Sequence, residues 1–385
     1  MKNNQNIHVE VAIIGTGTAG MGAYREVRKH IDSIALIEGG HYGTTCARVG
    51  CMPSKLLIAP GELRHNTEKF ADFGLQGKIP SVDGKAVMKR VKDERDRFVG
   101  FVNEDIDSFD EKHRIQAYAS FVDDHTLSLS TGGTLTADKI IIATGSRPNI
   151  PGFFEQAKDL LITNDDVFYW DDLPKSIAVF GAGVIGLELG QALHRLGVHT
   201  HLFGVGDAVG PLSDPEVIAT SLEIFKDEFP FHSNGQVKSI ERTDKGVQIT
   251  FKPTPDSEEV TETFDYLLAA TGRKTNIDNI GIENTSLELD GRGVPIYNLM
   301  SMQCGDSHIF IAGDVNGDIP LLHEAADEGR LAGENASTFP QVFKKARKTS
   351  LGVVFSDPQI ATVGMSFRAL TEKLGCHFAS GRDLK

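Results

Sequence analysis

Cys46 and Cys51 stand five residues apart in the run Thr45, Cys46, Ala47, Arg48, Val49, Gly50, Cys51, Met52, Pro53, Ser54, Lys55. Two thiols at that spacing can exchange with a disulfide, form one, or hold a metal. Five residues of ideal helix rise about 7.5 Å, more than the roughly 7 Å between Cα atoms that a disulfide spans. Either the thiols are unbridged, or Val49 and Gly50 distort the turn until the sulfurs meet, and an accessible bridge of that kind is more reducible than a structural one. A structural metal site usually needs four ligands. The chain has only four cysteines, at 46, 51, 304 and 376, with no second close pair, so no metal site is expected there. Two unrelated thiols remain the third alternative.

A second kind of chemistry lies in the glycines. Residues 9–14 form a short apolar run rich in branched side chains, followed at once by Gly15, Thr16, Gly17, Thr18, Ala19 and Gly20 and then by helix-permitting residues to His30. A strand entering a helix through such a loop presents backbone N–H groups and a helix N-terminus to a pyrophosphate. A second strand, residues 33–37, ends on Glu38, close to the roughly 20-residue offset at which an acid meets a ribose diol. The pattern repeats: residues 176–180 lead into Gly181, Ala182, Gly183, Val184, Ile185 and Gly186, and Ile185, Leu189, Ala192, Leu193 and Leu196 mark one helical face closed by Gly197. There the position equivalent to Glu38 is Gly204. Two such units imply two dinucleotide-binding domains, each with its own parallel sheet.

The remaining chain must carry these sites. Residues 87–111 read as a long surface helix, and residues 126–130 with Gly132 and Gly133 as a hairpin. Residues 140–143 and 267–270 are apolar runs ending at Thr144-Gly145 and Thr271-Gly272, and they bracket the second glycine loop as crossings between a discontinuous first domain and an inserted second one. Residues 309–312 form another buried strand leading to Asp314. His323 and Glu328, five apart on a helix, face different directions and read as surface and cofactor-flanking groups. Cys304, Cys376 and Trp170 read as packing residues.

At 385 residues, with 40% hydrophobic and 24% charged residues, the chain is a globular protein of more than one domain. Its net charge of −14 argues against a nucleic-acid or anionic-membrane partner. It shows neither an apolar run long enough to cross a bilayer nor a signal peptide, and a cytoplasmic location is expected.

Taken together, Gly15 to Gly20, Glu38, the Gly43 to Lys55 segment, Ala143 to Pro148, Gly181 to Glu188, Ala270 to Arg273 and Ala312 to Asp314 resemble the class I pyridine nucleotide-disulfide oxidoreductases, most of all their dihydrolipoyl dehydrogenase branch. The resemblance implies an α/β fold with two Rossmann-like domains, the second inserted in the first. These are an FAD domain over residues 1–150 and 276–345 and an NAD domain over 151–275, followed by the start of an α+β interface domain over 346–385. It implies that Gly15, Gly17, Gly20, Glu38, Thr45, Lys55, Thr144, Gly145 and Asp314 serve FAD, and that Gly181, Gly183, Gly186 and Gly272 line NAD. It also implies a redox disulfide in which Cys46 meets a dithiol or lipoyl-bearing substrate and Cys51 faces the flavin, with Lys55 paired to Glu188. The full-length form is expected to be a homodimer whose catalytic base lies in the interface domain, most of which is expected to be absent from this chain. The strand 351–355 is then expected to be an unpaired edge. NAD is expected over NADP, because no Arg or Lys lies between residues 202 and 211, although His199 and His201 could add positive charge. The alternatives are a mercuric or glutathione-type reductase, or a flavin redox sensor without turnover.

Overall fold

The computed structural model describes residues 6–375 and Gly381. The chain forms two compact units, each assembled from three stretches: Met1–Arg48, Arg95–Arg147 and Arg273–Arg347 in the first, and Val49–Glu94, Pro148–Gly272 and Lys348–Lys385 in the second.

The first unit is built on a parallel sheet. Asn6–Ile14 lies between Ile34–Glu38 and Thr134–Ile142, with Arg114–Gln116 beyond the former and Ile309–Ile311 paired to the latter. Val11, Ala12, Ile13 and Ile140 to Ile142 are all fully buried, as a strand covered on both faces requires. The expected hairpin is present: Thr126–Leu129 pairs antiparallel with Thr134–Ile142 and with Ala119–Phe121. The helix Thr18–Val27 packs against Leu322–Thr338 through small residues. A Cβ on Gly329 would stand 2.2 Å from the carbonyl oxygen of Ala19, so only glycine allows the two helices to approach this closely.

The second unit has its own five-stranded parallel sheet, in the order Phe231–His232, His199–Phe203, Ser176–Phe180, Tyr266–Ala269, Leu161–Ile162. Beside it is an antiparallel sheet of Gln236–Thr243, Gly246–Lys252 and Val260–Phe264, and Phe251 and Phe264 join Phe180 and Phe203 in one core. The helix Val184–Arg195 ends at Leu196, so Gly197, at φ +91°, takes the left-handed position after the cap.

The strand expected over 351–355 is found as Leu351–Val354, but one edge of it is paired antiparallel with Ile360–Val363. The expectation of a wholly unpaired edge is therefore corrected, since the turn through Pro358 brings the chain back upon itself. The long polar helix runs over Gly84–Asp107. Cys304 is fully buried and Trp170 stacks on Tyr266, both as packing residues, whereas Cys376 lies outside the described residues.

Candidate functional site

In the first unit, the loop after Asn6–Ile14 enters the helix Thr18–Val27 at Gly17. Gly15 sits at φ +110°, and a Cβ there would stand 2.4 Å from the Ala143 carbonyl oxygen; a Cβ on Gly20 would stand 1.9 Å from the oxygen of Gly15. Both glycines are demanded by the fold. Gly17 differs: its φ is −69°, and no described atom lies within 4 Å of its Cβ position. The helix carries no acid in its first turn and no side-chain cap at Gly17, so its positive end is open toward that space. Glu38, at the end of the neighbouring strand, accepts from the backbone N–H and hydroxyl of Thr16 at 2.9 and 2.8 Å through Oε2, and from Gly40 N–H at 2.8 Å through Oε1. Three donors fix the carboxylate and leave lone-pair capacity on Oε1.

The second unit repeats this construction. Gly181 has φ +112° with a Cβ position 2.2 Å from the Ala270 carbonyl oxygen, Gly186 would meet the Gly181 oxygen at 1.8 Å, and Gly183 again faces open space. The helix Val184–Arg195 likewise lacks a first-turn acid and a side-chain cap. Gly204 follows the strand His199–Phe203, with its Cβ position 3.2 Å from the Ser233 carbonyl oxygen, so a side chain there is crowded as well as absent. These two cradles fit the pyrophosphates of two dinucleotides by the same test: each leaves room only where a ligand backbone would come close.

The other expected residues are placed as follows. In the first unit, Asp314 accepts from the Ser146 hydroxyl at 2.8 Å, and Arg273 donates to the same hydroxyl at 2.8 Å. Thr144 donates to the Asn276 carbonyl at 2.8 Å, and Asn276 donates to the carbonyls of Thr144 and Gly145 at 2.9 Å each. Glu328 was expected on the surface. It is buried, with Oε2 accepting from Gly313 N–H at 2.7 Å and from the Asn316 amide at 2.8 Å, and Oε1 2.6 Å from Arg347. Burial pushes its carboxyl above the usual range, against the pull of Gly313 N–H and Arg347. The acid is therefore spent on the turn that presents Asp314, whereas His323 is exposed and stands 3.9 Å from Glu324.

In the second unit, Gly272 sits at φ +96° with open space around it. Thr45 and Cys46 fall in the first unit, whose opening stretch runs to Arg48: Cys46 is half-buried in Thr45–Val49, and Thr45 is exposed. The helix breaks at Gly50, with φ −127° and ψ −121°, and Cys51 opens the next helix, Cys51–Glu68, as an exposed residue. One turn on, Lys55 Nζ lies 2.6 Å from Glu188 Oε2 and 4.4 Å over the ring of Phe355. Glu188 is 5% exposed, and its other oxygen accepts from Phe355 N–H at 3.0 Å. His199 and His201, considered as charges for a 2′-phosphate, are instead turned to Glu262, at 2.6 and 3.5 Å, and burial lowers the His201 pKa.

The sequence marks Ser146 and Arg273 within the Ala143–Pro148 and Ala270–Arg273 segments, but not the clamp they form nor Asn276, because these contacts span more than 120 residues. No described helix is long and apolar enough to cross a membrane.

Known proteins resemble the chain along nearly its whole length. The family model for pyridine nucleotide-disulphide oxidoreductases matches residues 9–329. A dihydrolipoyl dehydrogenase of Bacillus subtilis is 30% identical over 372 residues, covering 93% of this chain and 77% of the relative. A mercuric reductase of Staphylococcus aureus is 28% identical over 379 residues, covering 96% and 67%. In fold, the HOCl-induced flavoprotein disulfide reductase RclA of Escherichia coli, solved as a Cu(II) complex, superimposes with a TM-score of 0.77 at 21% identity, over 96% of this chain and 80% of that one. With both cradles and their sheets in place, the chain belongs to the pyridine nucleotide-disulphide oxidoreductase family, whose members work with FAD and NAD(P).

Proposed function

We propose that this protein passes electrons between a dithiol such as dihydrolipoamide and NAD, through a Cys46–Cys51 redox pair and FAD. On this reading residues 1–150 and 276–345 form the FAD domain, 151–275 the NAD domain, and 346–385 begin an interface domain. Gly15, Gly17, Gly20, Glu38, Thr45, Thr144, Gly145 and Asp314 would hold FAD, and Gly181, Gly183, Gly186 and Gly272 the nicotinamide nucleotide. One observation carries the assignment of the cysteines. Cys51 is the first residue of an 18-residue helix, and Lys55, one turn later on the same face, is anchored by Glu188. A helix N-terminus and an adjacent ammonium both favour negative charge at that sulfur. Gly50 breaks the helix between the two thiols, which is the distortion a bridge needs.

In the oxidised pair, a substrate thiolate attacks Cys46 Sγ, the Cys46–Cys51 bond breaks, and Cys51 leaves as a thiolate. The second substrate thiol then displaces Cys46 from the mixed disulfide. The substrate departs as a disulfide, two protons are released, and both cysteines are reduced. Bound FAD supplies the two-electron relay, with NAD as final acceptor. Glu188 keeps the Lys55 ammonium anchored one helical turn from Cys51 throughout.

The test is spectroscopic. Partial reduction of the FAD-loaded protein is expected to give a long-wavelength band that persists in Cys46→Ser and disappears in Cys51→Ser. Retention of the band in Cys51→Ser would reverse the two roles. The comparable similarity to a mercuric reductase supports a second reading, reduction of a thiophilic metal ion. NADH oxidation dependent on Hg(II) but indifferent to lipoamide would favour it.

A further inference from the structure

A cluster of donors in the second unit plays no part in this scheme. His199 and His201 are alternate residues of the strand His199–Phe203, so both project from the same sheet face. Glu262, from the antiparallel strand Val260–Phe264, reaches the same point. One donor atom from each of the three lies within 4.8 Å of the others. Glu262 Oε1 is 2.6 Å from His199 Nε2, its Oε2 is 3.5 Å from His201 Nδ1, and His232 Nε2 stands 3.2 Å from the same Nδ1. Zn–N and Zn–O bonds of about 2.0–2.1 Å place neighbouring tetrahedral donors about 3.3 Å apart, so these separations need little adjustment.

The surroundings argue for more than a surface ion pair. His201 projects among aromatic rings: its ring centroid is 5.3 Å from that of Phe264 and 6.1 Å from that of Phe251. An imidazole there gives up solvation that a Val or Ile would not need. His199 lies open to solvent, which gives an ion a way in.

We infer that His199 Nε2, His201 Nδ1 and the Glu262 carboxylate form a binding site for a borderline divalent cation of the zinc type, with His232 adjacent as a fourth donor. Two neutral imidazoles and one carboxylate are the donor set such an ion prefers, and they leave a net charge of +1. The site is separate from the dinucleotide cradle. Dinucleotides lie beyond the carboxyl ends of the strands, whereas His199 starts its strand, about 13 Å before Phe203 ends it. Its effect would be to tie the edge strand Val260–Phe264 of the antiparallel sheet to the parallel sheet.

The test is zinc titration by calorimetry on FAD-loaded protein carrying Cys46→Ser, Cys51→Ser and Cys376→Ser, which removes competing thiols. One zinc per chain is expected, with a rise in melting temperature. His199→Ala and Glu262→Gln, each in the same background, should weaken binding at least about tenfold while leaving the flavin spectrum and circular dichroism unchanged. Because His199 is exposed, its loss does not threaten folding. Zinc binding unaffected by both substitutions, or no saturable binding at all, would overturn the proposal.

Discussion

Gly17 and Gly20 lie three residues apart, at the cap and within the first turn of the helix Thr18–Val27, yet the structure assigns them opposite reasons for being glycine, and alanine substitutions separate those reasons. At Gly17, φ −69° and ψ −173° suit alanine, and the added methyl meets no described atom within 4 Å. Gly17→Ala should therefore leave the flavin-free protein as stable as before, or more stable by up to about 1 kcal/mol through the loss of unfolded-state freedom. At Gly20 alanine is worth about 1 kcal/mol in intrinsic helix preference, but its methyl would stand 1.9 Å from the Gly15 carbonyl oxygen. Backbone must move, and a net loss of about 1–3 kcal/mol is expected. Binding should rank the other way for its cause. Gly17→Ala fills the space through which the loop N–H groups reach the pyrophosphate, and one such charge-assisted bond is worth about 1.5–3 kcal/mol. FAD should then bind roughly 10- to 150-fold more weakly to a normally folded protein. Urea unfolding of the flavin-free variants and FAD titration by fluorescence give the two numbers. Wild-type FAD affinity in Gly17→Ala, or destabilisation equal to that of Gly20→Ala, would refute the reasoning.

Lys55→Met strands a Glu188 carboxylate that is 5% exposed; because Lys55 is itself 34% exposed, the cost should be about 1–3 kcal/mol, short of a fully buried pair. A double-mutant cycle with Glu188→Gln should return a coupling of at least about 1 kcal/mol in urea midpoints, and strict additivity would exclude the interaction. Arg147 and Lys274 hold the Asp278 carboxyl well below the usual carboxylate range, so this group stabilises the fold above its unfolded pKa of about 4 and ceases to as pH falls through its folded value. The stability difference between wild type and Asp278→Asn should accordingly shrink between pH 5 and pH 3, and a constant difference would exclude the linkage. NADH should outpace NADPH, since no Lys or Arg lies between residues 202 and 211, at and beyond the carboxyl end of the strand His199–Phe203. Equal kcat/KM for the two would count against it.

The elements that carry the cradles were legible because their signals are local. A branched run, a glycine loop and a helical face occupy about 30 consecutive residues, and the strand Ser176–Phe180 falls on the residues its composition indicates. The glycines at 15, 20, 181 and 186 could be read as tight-turn residues, but only coordinates separate them from 17 and 183, whose Cβ positions point into open space. Glu328 is buried where the sequence indicates a surface group, because five-residue spacing describes only its own helix. Its burial comes from Gly313, Asn316 and Arg347, on segments that no periodicity connects to it. His199 and His201 did alternate in sequence, yet Glu262 arrives 61 residues after His201, across a sheet boundary.

The strand Thr134–Ile142 is held on one side by Asn6–Ile14 and on the other by Ile309–Ile311. During synthesis the first partner is already available, but the last is roughly 170 residues away, which at about 5–20 residues per second is a delay of roughly 10 to 30 s. Through that interval one flank of Ile140 to Ile142, fully buried in the finished protein, stands without its neighbour. The whole second parallel sheet, from Leu161–Ile162 to Tyr266–Ala269, leaves the ribosome within the same window. The parallel sheet of the second unit can thus form before that of the first is complete, and through the delay the open flank of Thr134–Ile142 is exposed to premature pairing with another nascent chain.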